Sequence, residues 1–237
     1  MKLSRLGKFV FFGVLWGLAF SFLVVFLEPT PENLTLAVSI TLSGLYTGLL
    51  YLTRKLWLRR LSKSPVVNAI LLGSFNAAII ETLFLLVEKV FGASGVAAHP
   101  NLLIDLLITM PWYIGMVLIF VKVQNQERFP LGAVLLLGAV YEMGADGIVG
   151  GVIMPAIMGT PVNHIEFLIL APLTAFWQFI PVYSSMVLPP AWVLETADPV
   201  ERAGKKRWRR AFLPLLLLIP FSLYLILVML AISSFGG

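Results

Sequence analysis

The sequence contains no cysteine and few charged residues, and both absences narrow what the protein can be. Without cysteine the chain cannot form disulfides, thiolate metal sites, iron–sulfur clusters or a cysteine nucleophile. Charged residues make up 12% of the 237 residues, about half the share in a soluble domain, whereas 59% are hydrophobic. With only two histidines, a zinc site made of histidines alone would need a third from another chain.

Several apolar runs reach the length of a membrane-spanning helix, about 20 residues. Each run is expected to be helical, because a segment in lipid must satisfy its own backbone polar groups. We therefore predict an all-α polytopic helix bundle, a single transmembrane domain over residues 1–237, in the cell membrane. The predicted spans are Lys8–Leu27, Leu34–Leu52, Pro65–Val87, Leu102–Val121, Leu131–Gly150, Phe167–Leu188 and Ala211–Ile232.

The basic residues are distributed unevenly between the loops. Of the 17 Lys and Arg residues, all but Lys89 fall at the N-terminus or in the second, fourth and sixth loops. Cytoplasmic loops of membrane proteins carry the excess of basic residues. The pattern predicts seven transmembrane helices, with the N-terminus inside and the C-terminus outside. Topology and anionic lipid headgroups thus account for the net charge of +5, and we expect no nucleic-acid partner.

The chain also contains a candidate internal repeat. A shift of 61 residues places Glu81 on Glu142, Pro100 on Pro161, and Pro111 on Pro172 without a gap. We predict a tandem hairpin repeat with units 65–125 and 126–188, and chance similarity is the alternative. Prolines within spans should kink them. The two hairpins would then face each other across a pocket that acidic residues line.

Four carboxyl groups lie inside the predicted helices, at Glu81, Asp105, Glu142 and Asp146. A carboxyl group at the centre of a membrane helix costs about 2.5 to 3.5 kcal/mol and usually faces a cavity or a partner. No Lys or Arg lies in the core of a predicted helix, so we expect neutral carboxyl groups that can donate a proton. The alternative is a structural hydrogen bond to a neighbouring helix, for example through Asn76.

These patterns identify candidate site residues. We predict Glu81 and Glu142 as an acid–base pair that Asp105, Asp146 and Glu166 orient. The candidate substrate-binding residues are Trp112, Tyr113, Tyr141, Trp177 and Asn76. His99, His164 and Glu166 are candidate metal ligands at outer helix ends, with an interfacial polar role as the alternative. The sequence indicates no particular cofactor.

Two stretches carry a family resemblance. The first runs from Ile79-Ile80-Glu81 through Pro100-Asn101-Leu102-Leu103-Ile104-Asp105 to Pro111-Trp112-Tyr113. It resembles the helix–loop–helix unit of the polytopic lycopene cyclases and related carotenoid-modifying membrane enzymes. The second stretch, Tyr141-Glu142 through Asn163-His164-Ile165-Glu166-Phe167-Leu168 to Pro172, is similar. The resemblance implies about seven spans, tandem repeats, acids that flank an apolar substrate, and proton-driven chemistry on isoprenoid double bonds.

Together these features favour an integral membrane enzyme that performs carboxylate acid–base chemistry on a lipid or carotenoid-like isoprenoid, as a cyclase, isomerase or hydratase. A proton- or cation-coupled small-molecule transporter is the first alternative, because carboxyl groups at mid-depth and kinked helices also fit that class. A non-catalytic membrane scaffold is the second. The expected partners are membrane lipid and an apolar small molecule, and the oligomeric state is left open.

Overall fold

The computed structural model describes residues 4–61, 64–157, 159, 173–196 and 208–235, and within these ranges it contains helices and no strand. The predicted all-α class is thereby confirmed. The elements are α1 (Arg5–Leu27), α2 (Pro31–Leu58), α3 (Pro65–Phe91), α4 (Leu102–Glu127), α5 (Leu131–Glu142), a π-helical segment (Met143–Ile153), α6 (Met154–Ile157), α7 (Ala175–Glu195), α8 (Trp208–Ala211), a 3₁₀ turn (Leu213–Leu217) and α9 (Leu218–Phe235).

Six helical segments of the described chain are long and apolar enough to cross a membrane, which supports a multi-pass membrane protein. They are α1, α2, α3, α4, the continuous segment Leu131–Ile157, and Leu213–Ala231. Helix α7, which overlaps the predicted sixth span, is not one of the six. It is nevertheless the most buried helix of the described chain.

Five of the six apolar segments pack against α7. Helices α1 to α5 all pack against it. Around it, α1 packs on α2, α2 on α3, and α3 on α4. Helix α4 packs on the last segment, the last segment on the π-helical segment, and α5 back on α1. Every residue of α7 from Ile180 to Leu194 is buried. The outer segments therefore carry the lipid-facing surface, and α7 carries the core.

The helices extend beyond the predicted spans, because hydropathy marks only the apolar part of a helix. Helix α2 starts at Pro31, where the Thr30 hydroxyl caps Asn33, and continues to Leu58. The predicted end of the fifth span at Gly150 is wrong, since the helical segment continues to Ile157. The predicted end of the sixth span at Leu188 is also wrong, since α7 passes through the next two residues, both proline, to Glu195.

Side chains from neighbouring helices bond the backbone carbonyls that two helix-internal prolines leave without a donor. A proline inside a helix leaves the carbonyl four residues earlier without its N–H donor. Pro189 frees the carbonyl of Ser185, and the Asn76 amide donates to it at 2.8 Å. Pro111 likewise frees the carbonyl of Leu107, which accepts from the Tyr224 hydroxyl at 2.6 Å. Such bonds let both helices continue through prolines at membrane depth.

The two predicted repeat units pack as hairpins in different surroundings. Helix α3 packs on α4, and α5 packs on α7. However, α4 belongs to the outer ring whereas α7 lies at its centre, and only the second unit contains π-helix. Pro172 lies outside the described residues, so its equivalence to Pro111 stays a prediction.

Candidate functional site

One end of the bundle encloses a cavity of about 800 Å³. Its walls come from the C-terminal halves of α1, α3 and the last segment, the N-terminal halves of α2, α4 and α7, and the π-helical segment. The half that lines the cavity changes from C-terminal to N-terminal between one long helix and the next, so successive long helices run in opposite directions. The ends rich in Lys and Arg, such as those near Arg54 and Lys122, lie away from the cavity.

The cavity walls are mainly apolar. Phe20, Phe84, Phe179 and Phe221 line it together with aliphatic side chains of five helices. Toward the basic end the bundle is a packed core, which includes Met116, Val134 and Met186. A volume of this size falls within the range of small-molecule sites. The space therefore suits an apolar molecule.

The first carboxyl group of the site is Glu81 of α3. Its Oε1 accepts a hydrogen bond from the Tyr113 hydroxyl of α4 at 2.5 Å. The side chain of Asp105, one helical turn from the start of α4, lies close to the same carboxyl group. Glu81 and Tyr113 both line the cavity, whereas Asp105 is fully buried behind its wall.

The second carboxyl group is Glu142, which is 3% exposed and also lines the cavity. The Tyr183 hydroxyl of α7 and the Asp146 carboxyl group are its polar neighbours. The Trp112 indole donates to the Tyr183 hydroxyl at 2.8 Å. The rings of Tyr113 and Tyr183 lie 5.8 Å apart, so the two carboxyl groups belong to one continuous cluster.

The π-helical segment sets the position of Asp146. Glu142 is the last residue of α5, and the backbone widens from Met143 to Ile153. Asp146, Gly150 and Met154 all line the cavity, and much of the Asp146 surface is open to it. π-Helical turns are rare and occur frequently at functional sites.

The loop between α3 and α4 covers the end of the cavity, and two buried carboxylates hold it. Glu88 Oε2 accepts from the backbone N–H groups of Val96 at 2.8 Å and Ala97 at 2.5 Å. Asp105 Oδ1 accepts from the backbone N–H of His99 at 3.1 Å. Because Val96 and Ala97 also line the cavity, Glu88 and Asp105 fix part of its wall.

The structure thus brings Glu81, Glu142, Asp146 and Tyr113 to one cavity and places Asp105 directly behind it. The other candidate substrate-binding residues do not line this cavity. Trp112 packs on Phe221 behind the wall, and Trp177 packs on Gly13 and Phe9 of α1. The Tyr141 hydroxyl donates to the carbonyl of Ala211 at 2.6 Å. The Asn76 amide accepts from the Tyr46 hydroxyl and donates to the Ser185 carbonyl.

Of the candidate metal ligands, His99 accepts the Asn101 backbone N–H in the covering loop, while His164 and Glu166 lie outside the described residues. Within the described ranges no group of three or more His, Cys, Asp or Glu side chains could hold a metal ion.

Two polar groups of this region were not among the candidate site residues. The Tyr183 hydroxyl accepts from the Trp112 indole and lies beside Glu142, and the signal available was a tyrosine inside an apolar segment, whose hydroxyl needs a partner when buried. Glu88 looked like a loop acid near the end of a span, and nothing in its spacing predicted that it accepts two backbone N–H groups.

The cluster has the chemical parts for proton transfer beside an apolar ligand: three carboxyl groups and two phenols, with an indole as a fixed donor. No protein-family model matches the chain, and neither a curated protein nor a solved structure matches it.

Proposed function

We propose that the protein is an integral membrane enzyme that performs carboxyl acid–base chemistry on a lipid or isoprenoid molecule held in the cavity. The observation that carries this proposal is the location of Glu81, Glu142 and Asp146 on an otherwise apolar cavity wall. A carboxylic acid in such surroundings is a competent proton donor to a carbon–carbon double bond. The resemblance of both repeat units to carotenoid-modifying enzymes agrees with this chemistry.

The step can be written with the residues present. One carboxyl group, of Glu81 or Glu142, gives its proton to a carbon of the double bond, and the neighbouring carbon becomes a cation. The faces of Phe84, Phe179 and Phe221 stabilise that cation. The other carboxyl group, as a carboxylate, removes a proton from an adjacent carbon, and a new double bond forms. Atoms and charge balance, and the product is an isomer, cyclic if the cation first attacks a second double bond.

Solvent deuterium tests this step without knowledge of the substrate. The purified protein is incubated with a total membrane lipid extract in D₂O, and the lipids are analysed by mass spectrometry. Because the proton that reaches carbon exchanges with solvent, the wild type should label a lipid. Glu81→Gln and Glu142→Gln should keep their thermal stability and abolish labelling. Glu28→Gln, the same change at an exposed carboxylate at the end of α1, is the matched control.

No labelled lipid from the wild type, or full labelling by both stable cavity variants, would contradict the proposal. Proton-coupled transport is the second candidate. The continuous cluster from Asp105 through Glu81 and the two tyrosines to Asp146 favours it, because such chains carry protons in transporters. An imposed pH gradient across proteoliposomes that drives uptake of a solute would support that function instead.

We further propose that the protein lies in the cell membrane with its N-terminus in the cytoplasm and the cavity in the outer half. The location of the basic residues at the opposite end of the bundle supports this orientation. Helix α7, which lies before the last span in the chain, would bring the number of membrane crossings from six to seven. Its 21 residues extend about 31 Å, close to the thickness of a hydrocarbon core, and the outer helices shield its polar side chains.

A further inference from the structure

The polar part of the cavity wall has more hydrogen-bond acceptors than donors. Three carboxyl groups line it, those of Glu81, Glu142 and Asp146. Glu142 is 97% buried, and its Oε2 has no hydrogen-bond partner within the described chain. Asp146 has much of its surface open to the cavity. The reachable acceptor is therefore the Asp146 carboxyl group, and a ligand that places a donor against it gains a hydrogen bond.

The hydroxyl donors of the same wall are already used within the protein, and the Asn33 and Gln178 amides each use one of their two N–H groups. Each of these groups donates to an oxygen atom of its own helix or of a neighbouring helix. The bonds run from Tyr113 to Glu81 at 2.5 Å, Thr109 to the Asp105 carbonyl at 3.0 Å, Ser21 to the Gly17 carbonyl at 2.9 Å, Gln178 to the Ser21 hydroxyl at 2.9 Å, and Asn33 to the Glu28 carbonyl at 2.9 Å.

The backbone N–H groups of the covering loop are used as well, since those of Val96 and Ala97 both donate to Glu88. No Lys, Arg or His is part of the cavity lining formed by the described residues. A phosphate or carboxylate would therefore lose its hydration in this cavity without gaining a cationic partner, and the burial of an unpaired charge is costly.

We propose that the ligand of this cavity is an amphiphile with an apolar body and a hydrogen-bond donor without negative charge, such as a hydroxyl or an amine, at its polar end. The donor binds the Glu142–Asp146 side of the cavity, and the apolar body lies against the phenylalanines. This inference rests on the proposed function for the use of the cavity. It excludes phosphorylated lipids and prefers a donor-bearing lipid to a pure hydrocarbon.

Three probes with the same C20 prenyl tail test the proposal: geranylgeraniol, its methyl ether and its monophosphate. The ether keeps the oxygen but has no donor, and the phosphate adds negative charge. Equilibrium binding of each radiolabelled probe to the full chain in nanodiscs is measured, with excess unlabelled alcohol to define saturable binding. We expect the alcohol to bind about tenfold more tightly than the ether, as for one hydrogen bond to a carboxyl group, and the phosphate to bind more weakly still.

Glu142→Gln and Asp146→Asn should reduce the preference for the alcohol over the ether, whereas Glu28→Gln should leave it unchanged. The proposal is overturned if the ether or the phosphate binds as tightly as the alcohol, or if none of the three binds saturably. Binding is separable from turnover. A tenfold alcohol preference without deuterium labelling would leave the ligand class standing and remove the proposed enzyme. Labelling of a hydrocarbon or phosphorylated lipid would do the reverse.

Discussion

Removal of the Tyr113 hydroxyl is the sharpest single test of the carboxyl cluster. In Tyr113→Phe the ring stays in its buried place, but Glu81 Oε1 loses the donor at 2.5 Å. Hydrogen bonds to charged groups contribute about 1.5 to 3 kcal/mol, and neutral ones about 0.5 to 1.5 kcal/mol. We therefore expect Tyr113→Phe to lower the free energy of unfolding by about 1 to 3 kcal/mol and to slow lipid deuteration by at least about tenfold, because Glu81 loses its fixed orientation.

Tyr141→Phe is the matched control. It removes an equally buried phenol hydroxyl, which bonds the Ala211 carbonyl at 2.6 Å and does not line the cavity. This variant should lose about 0.5 to 1.5 kcal/mol of stability and keep its labelling rate. Unfolding in mixed micelles gives the first quantity, and mass spectrometry of the lipids gives the second. Equal loss of labelling in both variants, or none in Tyr113→Phe, would refute the assignment of Tyr113 to the reacting cluster.

Three further changes have defined outcomes. Gly17→Ala should cost about 1 to 3 kcal/mol in thermal unfolding, because the new Cβ would lie 2.8 Å from the backbone of α7, whereas Gly48→Ala, with nothing within 4 Å, should cost nothing. Glu88→Gln should loosen the loop between α3 and α4, since one amide oxygen replaces a carboxylate that accepts two N–H groups, and limited proteolysis should then cut the loop faster. Single cysteines at Ser64 and Ser234, in a chain without native cysteine, should react with an impermeant reagent from opposite sides of the membrane; labelling from the same side rules out seven crossings.

The sequence was sufficient to predict the helices and the location of Glu81 and Glu142 at one interior cavity. Apolar length identifies α1 to α4 and the last segment, because lipid leaves a single segment no structure other than a helix. The absence of basic partners in the spans led to the expectation that Glu81 and Glu142 share an interior cavity, and both line it. That inference needs only the cost of an isolated buried carboxyl group, which does not depend on the details of packing.

The positions of other candidate residues depend on neighbours that the sequence does not reveal. Asn76 looked like a ligand-binding amide, but it satisfies the Ser185 carbonyl that Pro189 leaves free, a role set by a helix more than 100 residues away in the chain. That contact also explains why α7 does not end at Leu188. Trp177 looked like a pocket wall because tryptophans prefer span ends, yet it fills the space above Gly13, where a Cβ would lie 2.0 Å from its ring.

The central helix carries prolines and polar side chains that an outer helix could not present to lipid, and the reason is geometric. A helix surrounded by other helices touches protein rather than lipid, so its prolines, serines and tyrosine cost nothing in lipid contact. The outer helices must be apolar toward lipid, and Ser21, Thr47 and Asn76 bond groups of the central helix. Tyr183 of α7 likewise lies beside Glu142 in the interior of the bundle, where both groups are buried and neither has to face lipid.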